Sequence, residues 1–328
     1  MTSMTNNFRR WRALWHPEMY HGWGRQNGYF EGWYFKLVDF AERFAFAVIP
    51  GISMGKDEVR HAFIQVLDGK RCVASYHEFP LETFLPGDQE FSLELGGNFF
   101  STQKIRLDLP ELSGEIHFKN TTPWPKMLGA PGIMGWYSFV PFMQCYHGVV
   151  SLNHDLTGQM KVYGEAADFS GGKGYIEKDW GESFPRSWIW LQSNHFEAKE
   201  PVSLMASVAH IPWLGSYFIG FIVGFLVGKK LHRFATYTGA KMKAAMDERH
   251  VYLTFKDSRF RLEITGTQAP GAKLVSPITG NMTGKVNESM LGVIHVQLFE
   301  NERLVFEGTG RNAGMEIAGD VQELLVQK

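Results

Sequence analysis

The sequence has few of the residues and segments that mark several common protein classes. It contains two cysteines, Cys72 and Cys145, which are too few for a disulfide framework, so we expect reduced, packed thiols. Its 33 basic and 34 acidic side chains nearly cancel, which gives no electrostatic reason to expect a nucleic-acid partner. No apolar run of signal-peptide length follows the arginines near the N-terminus, and we therefore expect a cytoplasmic protein.

The sequence also lacks the common motifs of nucleotide binding, nucleophilic catalysis and metal binding. It has no P-loop, no G-x-G-x-x-G fingerprint, no G-x-S-x-G elbow and no H-E-x-x-H pair. The stretch Cys145–Gly148, together with His154, suggests a metal site, but no spacing there matches a zinc ligand set. We therefore predict no metal.

One uncharged segment, Ile211–Gly228, allows two interpretations. Its length, its regularly spaced glycines and the two lysines after it suit a marginal transmembrane helix. Its Phe and β-branched residues favour strands, and glycine weakens a helix, so a buried β-hairpin with a turn at Pro212–Gly215 fits as well. We favour the hairpin, because the segment is at the lower limit of spanning length. A barrel that touches a membrane to collect a lipid is a third alternative.

Polar and apolar residues alternate with a period of two along much of the chain, which is typical of strands with one wet side and one buried side. The clearest examples are Lys104–Pro110, His250–Lys256, Arg259–Thr265 and Val293–Phe299. Helical periodicity is limited to short stretches, near Phe8–Trp15 and at the C-terminus. The pattern predicts an all-β protein of two antiparallel barrels or sandwiches in tandem. We place an N-terminal extension at 1–27 and the domains at 28–186 and 187–328.

The segment GYFEGWYFKL, Gly28–Leu37, combines a carboxylate with five aromatic side chains. Alternation places Glu31 on one side of a strand with Tyr29, Trp33 and Phe35, and it places Tyr34 on the other side. If the side of Glu31 is interior, burial should raise the pKa of this carboxyl. The alternative is that Glu31 pairs with a basic side chain at a barrel rim.

A second segment, GYIEKDWGESFPRSWIWLQSNHF, spans Gly174–Phe196 and interleaves carboxylates with tryptophans. Alternation places Glu177 and Asp179 on one face, where two close carboxylates favour a shared proton. Further along, one face carries two indoles and two amides, which is typical of a cavity wall with polar groups, although ordinary core packing is the alternative. Those four residues are Trp188, Trp190, Gln192 and Asn194, and the opposite face carries Ile189, Leu191, Ser193 and His195.

These two segments, with their E-G-W-Y and E-K-D-W-G pieces, resemble the tocopherol cyclase family. Two later segments, Arg261–Gly280 and Gly310–Gly319, resemble the same family in the same order. The resemblance implies two lipocalin-like antiparallel β-barrels, related to the carotenoid hydratases. Plant members carry Asn at the position of Asp179 and Cys at the position of Ser193, and the Asn argues against Asp179 as the sole proton donor.

The resemblance also implies a reaction, the closure of a chromanol ring in a prenylated hydroquinone without a cofactor. A carboxylic acid in an apolar site protonates the alkene, aromatic faces stabilise the cation, and the phenol oxygen attacks it. The expected donor is Glu177 or Asp179, with Glu31 as the alternative donor or as the base. The expected substrate-binding residues are Trp33, Tyr34, Trp180, Trp188, Trp190, Gln192, Asn194 and His195.

Two other functions stay open at this point. The protein is either an enzyme of this isomerase type, a carrier that binds a prenyl lipid or quinone without chemistry, or a hydratase of an isoprenoid alkene. In each case we expect an apolar small-molecule ligand, no nucleic acid and peripheral contact with a membrane.

Overall fold

The structure, a computed structural model, describes residues 2–56 and 59–325. Over these residues most of the chain forms antiparallel β-strands, and there is a single α-helix, α1 (Thr2–Leu14). This helix includes most of the predicted Phe8–Trp15 stretch and starts six residues earlier. Four short 3₁₀ helices lie at Leu81–Thr83, Gly135–Phe139, Thr236–Thr238 and Val321–Leu324.

The chain divides into two compact units. Unit 1 comprises Met1–Asp68, Ala74–Phe184 and Leu274–Lys285, and unit 2 comprises Gly69–Val73, Pro185–Lys273 and Val286–Lys328. Each unit contains its own hydrophobic core. The predicted all-β class with two antiparallel sheets is therefore confirmed.

The first sheet has twelve strands in the order β4-β3-β2-β1-β12-β10-β9-β8-β7-β6-β5, and β11 pairs with β10. The strands are β1 (Tyr29–Val38), β2 (Ala45–Met54), β3 (Arg60–Asp68), β4 (Val73–Phe79), β5 (Phe84–Pro86), β6 (Ser92–Leu95), β7 (Asn98–Ser101), β8 (Lys104–Asp108), β9 (Leu112–Lys119), β10 (Cys145–Val162), β11 (Glu165–Asp168) and β12 (Lys173–Gly181).

This sheet must curl around its core. Strands β1 and β7 are five positions apart in the sheet, and in a flat sheet that separation would be about 24 Å. The rings of Phe35 on β1 and Phe100 on β7 nevertheless lie 5.5 Å apart between centroids. Since both side chains are fully buried, the curled sheet encloses a packed aromatic core.

The second sheet has eleven strands in the order β17-β16-β15-β13-β23-β22-β20-β19-β18, with β14 paired to β23 and β21 paired to β22. It curls in the same way, because Phe221 and Phe255, six positions apart in the sheet, lie 5.3 Å apart. The strands are β13 (Trp188–Ser193), β14 (His195–Phe196), β15 (Val202–Trp213), β16 (Ser216–Val227), β17 (Lys230–Ala235), β18 (Lys241–Met246), β19 (His250–Lys256), β20 (Phe260–Thr267), β21 (Ala272–Ile278), β22 (Asn281–Glu300) and β23 (Arg303–Ala318).

The uncharged segment Ile211–Gly228 forms the hairpin of β15 and β16, and the transmembrane interpretation is wrong. Its two strands join at Leu214 and Gly215, both with positive φ, which the tight turn of a two-residue hairpin requires. Among the described residues, no helix has the length and apolar character needed to cross a bilayer.

Replacing Phe100 with Ala should lower the free energy of unfolding by about 3–5 kcal/mol, because it leaves a cavity in the aromatic core of unit 1. Urea unfolding followed by circular dichroism would measure the change. The control is Phe40→Ala, since Phe40 is 78% exposed and its loss should change stability by no more than about 0.5 kcal/mol. Equal losses in the two variants would contradict the packed core.

Candidate active site

Strands β1, β12 and β10 lie side by side and divide the predicted acidic residues between two faces of the sheet. Residues directly opposite each other in antiparallel strands share a face. Glu31 is opposite Trp180 on the face that carries the unit 1 core, which we call the inner face. Gly32 and His147 are both opposite Asp179 on the other face, which we call the outer face.

On the inner face, Glu31 is fully buried and forms an ion pair with Lys178. The carboxylate also accepts hydrogen bonds from the backbone N–H groups of His21 and Gly22, at 3.0 and 3.1 Å, and from the Tyr29 hydroxyl at 2.5 Å. Lys178 donates in addition to the carbonyl oxygen of Met19. The pair thus fastens the segment before β1 to the sheet.

The conditional expectation that burial raises the pKa of Glu31 is wrong. Burial does act in that direction, but the charge of Lys178 and the hydrogen bond from His21 outweigh it and lower the pKa of Glu31. Burial in turn lowers the pKa of Lys178 to about 8. Glu31 is therefore a carboxylate, as the ion-pair alternative requires.

The two predicted tryptophans of unit 1 flank this ion pair. Lys178 Nζ lies 4.6 Å from the ring centroid of Trp33 and 4.7 Å from that of Trp180. Trp33 is fully buried and donates its indole N–H to the carbonyl oxygen of Glu18 at 2.8 Å. Trp180 stacks between His21 and Tyr146, at centroid distances of 4.2 and 5.4 Å. Both indoles are part of a filled core.

On the outer face, His147 bridges the two carboxylates that alternation predicts to lie together. Its Nδ1 is 2.8 Å from an Asp179 oxygen and its Nε2 is 3.4 Å from a Glu177 oxygen. The Tyr175 hydroxyl donates to Glu177 at 2.5 Å. We call these four residues the outer cluster. Exposure rises from 6% for the Glu177 side chain to 27% for that of Asp179, so solvent reaches the cluster from the Asp179 side.

The charge state of His147 follows from these neighbours. Burial alone lowers the pKa of an imidazole, but Asp179 and Glu177 outweigh it and raise the pKa of His147 to about 10. Burial raises the pKa of Tyr175 well above its usual value, and Glu177 adds to that effect. At neutral pH the outer cluster therefore holds an imidazolium between two acidic side chains and beside a neutral phenol.

The same arrangement offers ligand atoms for a metal ion. One atom each from His147, Glu177 and Asp179 lie within 4.8 Å of one another. A metal would have to displace the protons that the imidazolium now shares with the carboxylates, since a metal and a proton compete for the same lone pair.

Sequence reasoning missed His147 as the partner of the two carboxylates. It considered the Cys145–Gly148 stretch only with His154, but His154 lies opposite Gly174, well along β10 from His147. His154 is fully buried, and burial lowers its pKa to about 3. Alternation within β10 was the available signal, but it does not reveal which strand lies next to β10.

Residues 274–285 cover another part of the outer face. The Gln65 side chain donates to the carbonyl oxygen of Val275 at 3.0 Å and accepts from its N–H at 2.8 Å. Ser53 donates to the carbonyl oxygen of Gly280 at 2.8 Å. Within this segment a two-residue turn, Thr279 and Gly280, joins β21 to β22, and its positive φ values of 53° and 81° suit a tight hairpin.

In unit 2 the predicted indole and amide face lies opposite the core, and its residues are buried except Trp188, which is half-buried. Ile189 and Leu191 of β13 belong to the core of unit 2, so Trp188, Trp190 and Gln192 point to the other face. There Trp188 donates its indole N–H to Glu316 at 2.6 Å.

The alternation in β13 breaks at Asn194, which lies between β13 and β14. The Ser193 hydroxyl accepts from the His195 backbone N–H and donates to the carbonyl oxygen of Arg311 at 2.7 Å. After this break, Phe196 joins the core of unit 2. Regular alternation had placed His195, not Phe196, on the side of Ile189 and Leu191.

Fold and site together define an all-β protein of two lipocalin-like sheets with a histidine–carboxylate cluster on the first. A family model described as tocopherol cyclase-like matches residues 115–319, and the chain belongs to that family. The match includes the outer cluster, and it confirms the resemblance inferred from the sequence motifs.

Two curated relatives are plant proteins. One, of Oryza sativa subsp. japonica, is described as a probable chloroplastic tocopherol cyclase and is 23% identical over 196 residues, 56% of this chain and 42% of its own length. The other, a chloroplastic tocopherol cyclase of Zea mays, is 25% identical over 196 residues, 56% of this chain and 41% of its own length. The match thus spans about two fifths of these relatives.

Solved structures share the fold at low identity. A crystal structure described as a putative AttH of Nitrosomonas europaea is 14% identical, covers 88% of this chain and 92% of its own, and superposes with a TM-score of 0.52. The structure of CghA is 10% identical, covers 89% of each chain and gives a TM-score of 0.54. These likenesses concern the fold alone.

Replacing Lys178 with Met should destabilise unit 1 by about 3–5 kcal/mol, because it leaves the Glu31 charge buried without its cation. The double variant Glu31→Gln/Lys178→Met should recover part of that loss. Urea unfolding would measure both. Lys104→Met is the matched control, since it removes a half-exposed ion pair with Glu115 and should cost less than about 1 kcal/mol. A double variant no more stable than Lys178→Met would contradict the role of the charge.

The outer cluster should make stability depend on pH. The pKa of His147 is about 10 in the folded protein and about 6.5 when unfolded, so its stabilisation is complete below pH 6.5 and is lost as the pH rises toward 10. The difference in unfolding free energy between wild type and His147→Gln should shrink over that range. His117→Gln, at a half-exposed histidine, should show little change. A difference that grows with pH would contradict this assignment.

Proposed function

We propose that this protein cyclises a prenylated hydroquinone to a chromanol, with the outer cluster as its acid–base group. The observation that carries the proposal is the bridging of Glu177 and Asp179 by His147, inside the segment that matches the tocopherol cyclase-like family. The activity of the plant relatives supports the reaction class. The substrate class, a prenylated hydroquinone, is part of the proposal.

The reaction is an isomerisation in which every atom is conserved. A proton adds to the less substituted carbon of the nearest trisubstituted alkene, and a tertiary carbocation forms at its neighbour. The phenol oxygen attacks that carbon, a C–O bond forms, and the phenol proton leaves to the conjugate base. No electron is gained or lost, so the step needs no redox cofactor.

Glu177 is the residue that we assign as proton donor, with Asp179 as its alternate. In this assignment the imidazolium of His147 stabilises the carboxylate that remains after the transfer. An apolar substrate that excludes water favours the neutral carboxylic acid before the transfer. His147 then keeps a constant positive charge, and Tyr175 holds the Glu177 oxygen that it contacts.

The other predicted residues take different parts in this proposal. We assign Glu31 to positioning, since its ion pair with Lys178 fastens the segment before β1. Tyr34 lies opposite Glu177 in the sheet, and we assign its ring to the stabilisation of the cation. Trp33 and Trp180 support the sheet from the inner face. Ligand contacts by Trp188, Trp190, Gln192, Asn194 and His195 of unit 2 stay predictions.

The test is a cyclisation assay in heavy water with hydroquinones that carry prenyl chains of different lengths, under reducing conditions. A chromanol with one carbon-bound deuterium, seen by mass spectrometry, is the expected product. Binding of the same compounds without product would support a carrier instead. A product heavier by one water would indicate a hydratase.

Variants then assign the donor. Glu177→Gln should reduce kcat by about a hundredfold or more, since the proton transfer loses its acid. Asp179→Asn should keep measurable turnover, because the family resemblance implies Asn at this position in plant members. The matched control is Glu182→Gln, which removes an exposed carboxylate paired with Lys56 a few residues along the same segment. Activity of Glu177→Gln within about tenfold of wild type would remove Glu177 from the role.

A further assay, made after the protein has been dialysed against EDTA, tests whether turnover needs a bound metal ion. Unchanged turnover is expected if the imidazolium fills the place between the carboxylates. Loss of turnover that returns with an added divalent cation would show that the outer cluster works as a metal site.

A further inference from the structure

Solvent reaches the outer face of the first sheet along one row of residues. Of the ten residues of β1, all of them described, Gly32 alone is not buried, and the half-buried residues of β12 are Lys173 and Asp179. Gly32 and His147 lie on either side of Asp179 in the neighbouring strands, and the His147 side chain is 12% exposed. The accessible side of the outer cluster therefore adjoins Gly32.

Gly32 forms the floor of a narrow slot on this face. A methyl group added to Gly32 would make only ordinary van der Waals contacts, and the nearest atoms, on β2, would lie 3.7 Å away. Gly51, opposite Gly32 on β2, has no such space, because a methyl group there would come within 2.4 Å of the Phe63 ring. We call the space over Gly32, between Phe63 and Asp179, the glycine slot.

The Phe63 side of the glycine slot is held in place by its neighbours. The Phe63 ring stacks on Tyr76 at a centroid distance of 5.2 Å and an interplanar angle of 20°, and the Tyr76 hydroxyl lies 2.7 Å from Nε2 of His61. Burial raises the pKa of Tyr76 and lowers the pKa of His61, so at neutral pH a neutral phenol donates to a neutral imidazole. This side of the slot is therefore an uncharged aromatic surface.

The Asp179 side of the glycine slot offers a hydrogen-bond acceptor. Asp179 contacts His147 Nδ1 at 2.8 Å and the Cys145 thiol at 4.0 Å, and both contacts are made by its Oδ1. Among the described residues, none donates a hydrogen bond to its Oδ2. Since each carboxylate oxygen accepts hydrogen bonds, Oδ2 is available to a hydroxyl group of a bound ligand.

The three surfaces of the glycine slot together fit an aromatic alcohol. The glycine backbone is a flat floor, the Phe63 ring favours a second aromatic ring, and the Asp179 oxygen takes a hydroxyl donor. Aromatic pairs favour centroid distances of about 4.5–7 Å. A ring over Gly32 can adopt such a distance, because the Phe63 ring reaches within 3.9 Å of the position of a methyl group on Gly32.

We propose that the glycine slot binds the hydroquinone ring of the substrate, with one hydroxyl group donating to Asp179. This assignment rests on the proposed function and states where the head group lies in it. Glu177 is on the same face two residues along β12, about 6.8 Å from Asp179. The two hydroxyl groups of a hydroquinone lie at opposite ends of its ring. The second hydroxyl group and the prenyl chain beside it therefore extend toward Glu177 and toward Tyr34, which is opposite Glu177.

The test uses trimethylhydroquinone, a head group that has no alkene and therefore cannot be cyclised. Isothermal titration calorimetry under nitrogen would measure its binding to the full chain. Gly32→Ala should weaken this binding about tenfold or more, because the added methyl group occupies the floor of the slot. Gly32 does not have a positive φ and has room for a methyl group, so the variant should fold, and thermal unfolding would check this.

Two variants and a second probe test the hydrogen bond to Asp179. Asp179→Leu should bind trimethylhydroquinone about tenfold more weakly, whereas Asp179→Asn keeps an acceptor oxygen and should bind within about threefold of wild type. The dimethyl ether of trimethylhydroquinone has no hydroxyl donor and should bind about tenfold more weakly than its parent. The control is Ala74→Val, which adds apolar bulk at an exposed position of β4 and should bind like wild type.

Three results would overturn the proposal. They are no binding of trimethylhydroquinone to wild type at millimolar concentration, equal binding by Gly32→Ala and wild type, and equal binding of the hydroquinone and its dimethyl ether. Because the probe cannot react, binding that depends on Gly32 in a protein without turnover would support the slot and contradict the proposed reaction. Turnover by a protein whose Gly32→Ala variant binds and reacts like wild type would do the reverse.

Discussion

The period-two geometry of strand β12 governs the arrangement of every charged group near the candidate site. Successive side chains of a strand point to opposite faces, so Glu177 and Asp179 cannot share a face with Lys178 and Trp180. Pairing with β1 then sets Lys178 beside Glu31 in the core, and pairing with β10 sets His147 beside the two carboxylates. A slip of one residue would exchange the faces and bury two carboxylates without cations.

The two charged groups that result have different physical properties. The Glu31–Lys178 pair is fully buried and surrounded by hydrogen-bond donors and indole faces. In the outer cluster the Glu177 side chain is buried and the Asp179 side chain is partly exposed. A proton-transfer site needs both a shielded acid and a route for protons, and only the outer cluster has this combination.

The packed core of unit 1 bears on where a ligand can bind in this lipocalin-like fold. Phe35, Phe91 and Phe100 fill the space inside the curled sheet, where a carrier of this fold class would hold its ligand. We therefore propose that a ligand of this protein binds on the outer face of the first sheet and not inside its core.

The sequence by itself determined the all-β class, the alternation that sets Glu177 beside Asp179, the hairpin of β15 and β16, and the family. These features are local, since period, turn residues and motifs are properties of neighbouring residues in the chain. It did not determine that Lys178 neutralises Glu31, that His147 joins the carboxylates or that Phe196 replaces His195 on the core side. The tertiary structure decided these points, because strand pairing joins residues far apart in the chain, and local alternation cannot say which strand comes to lie beside which.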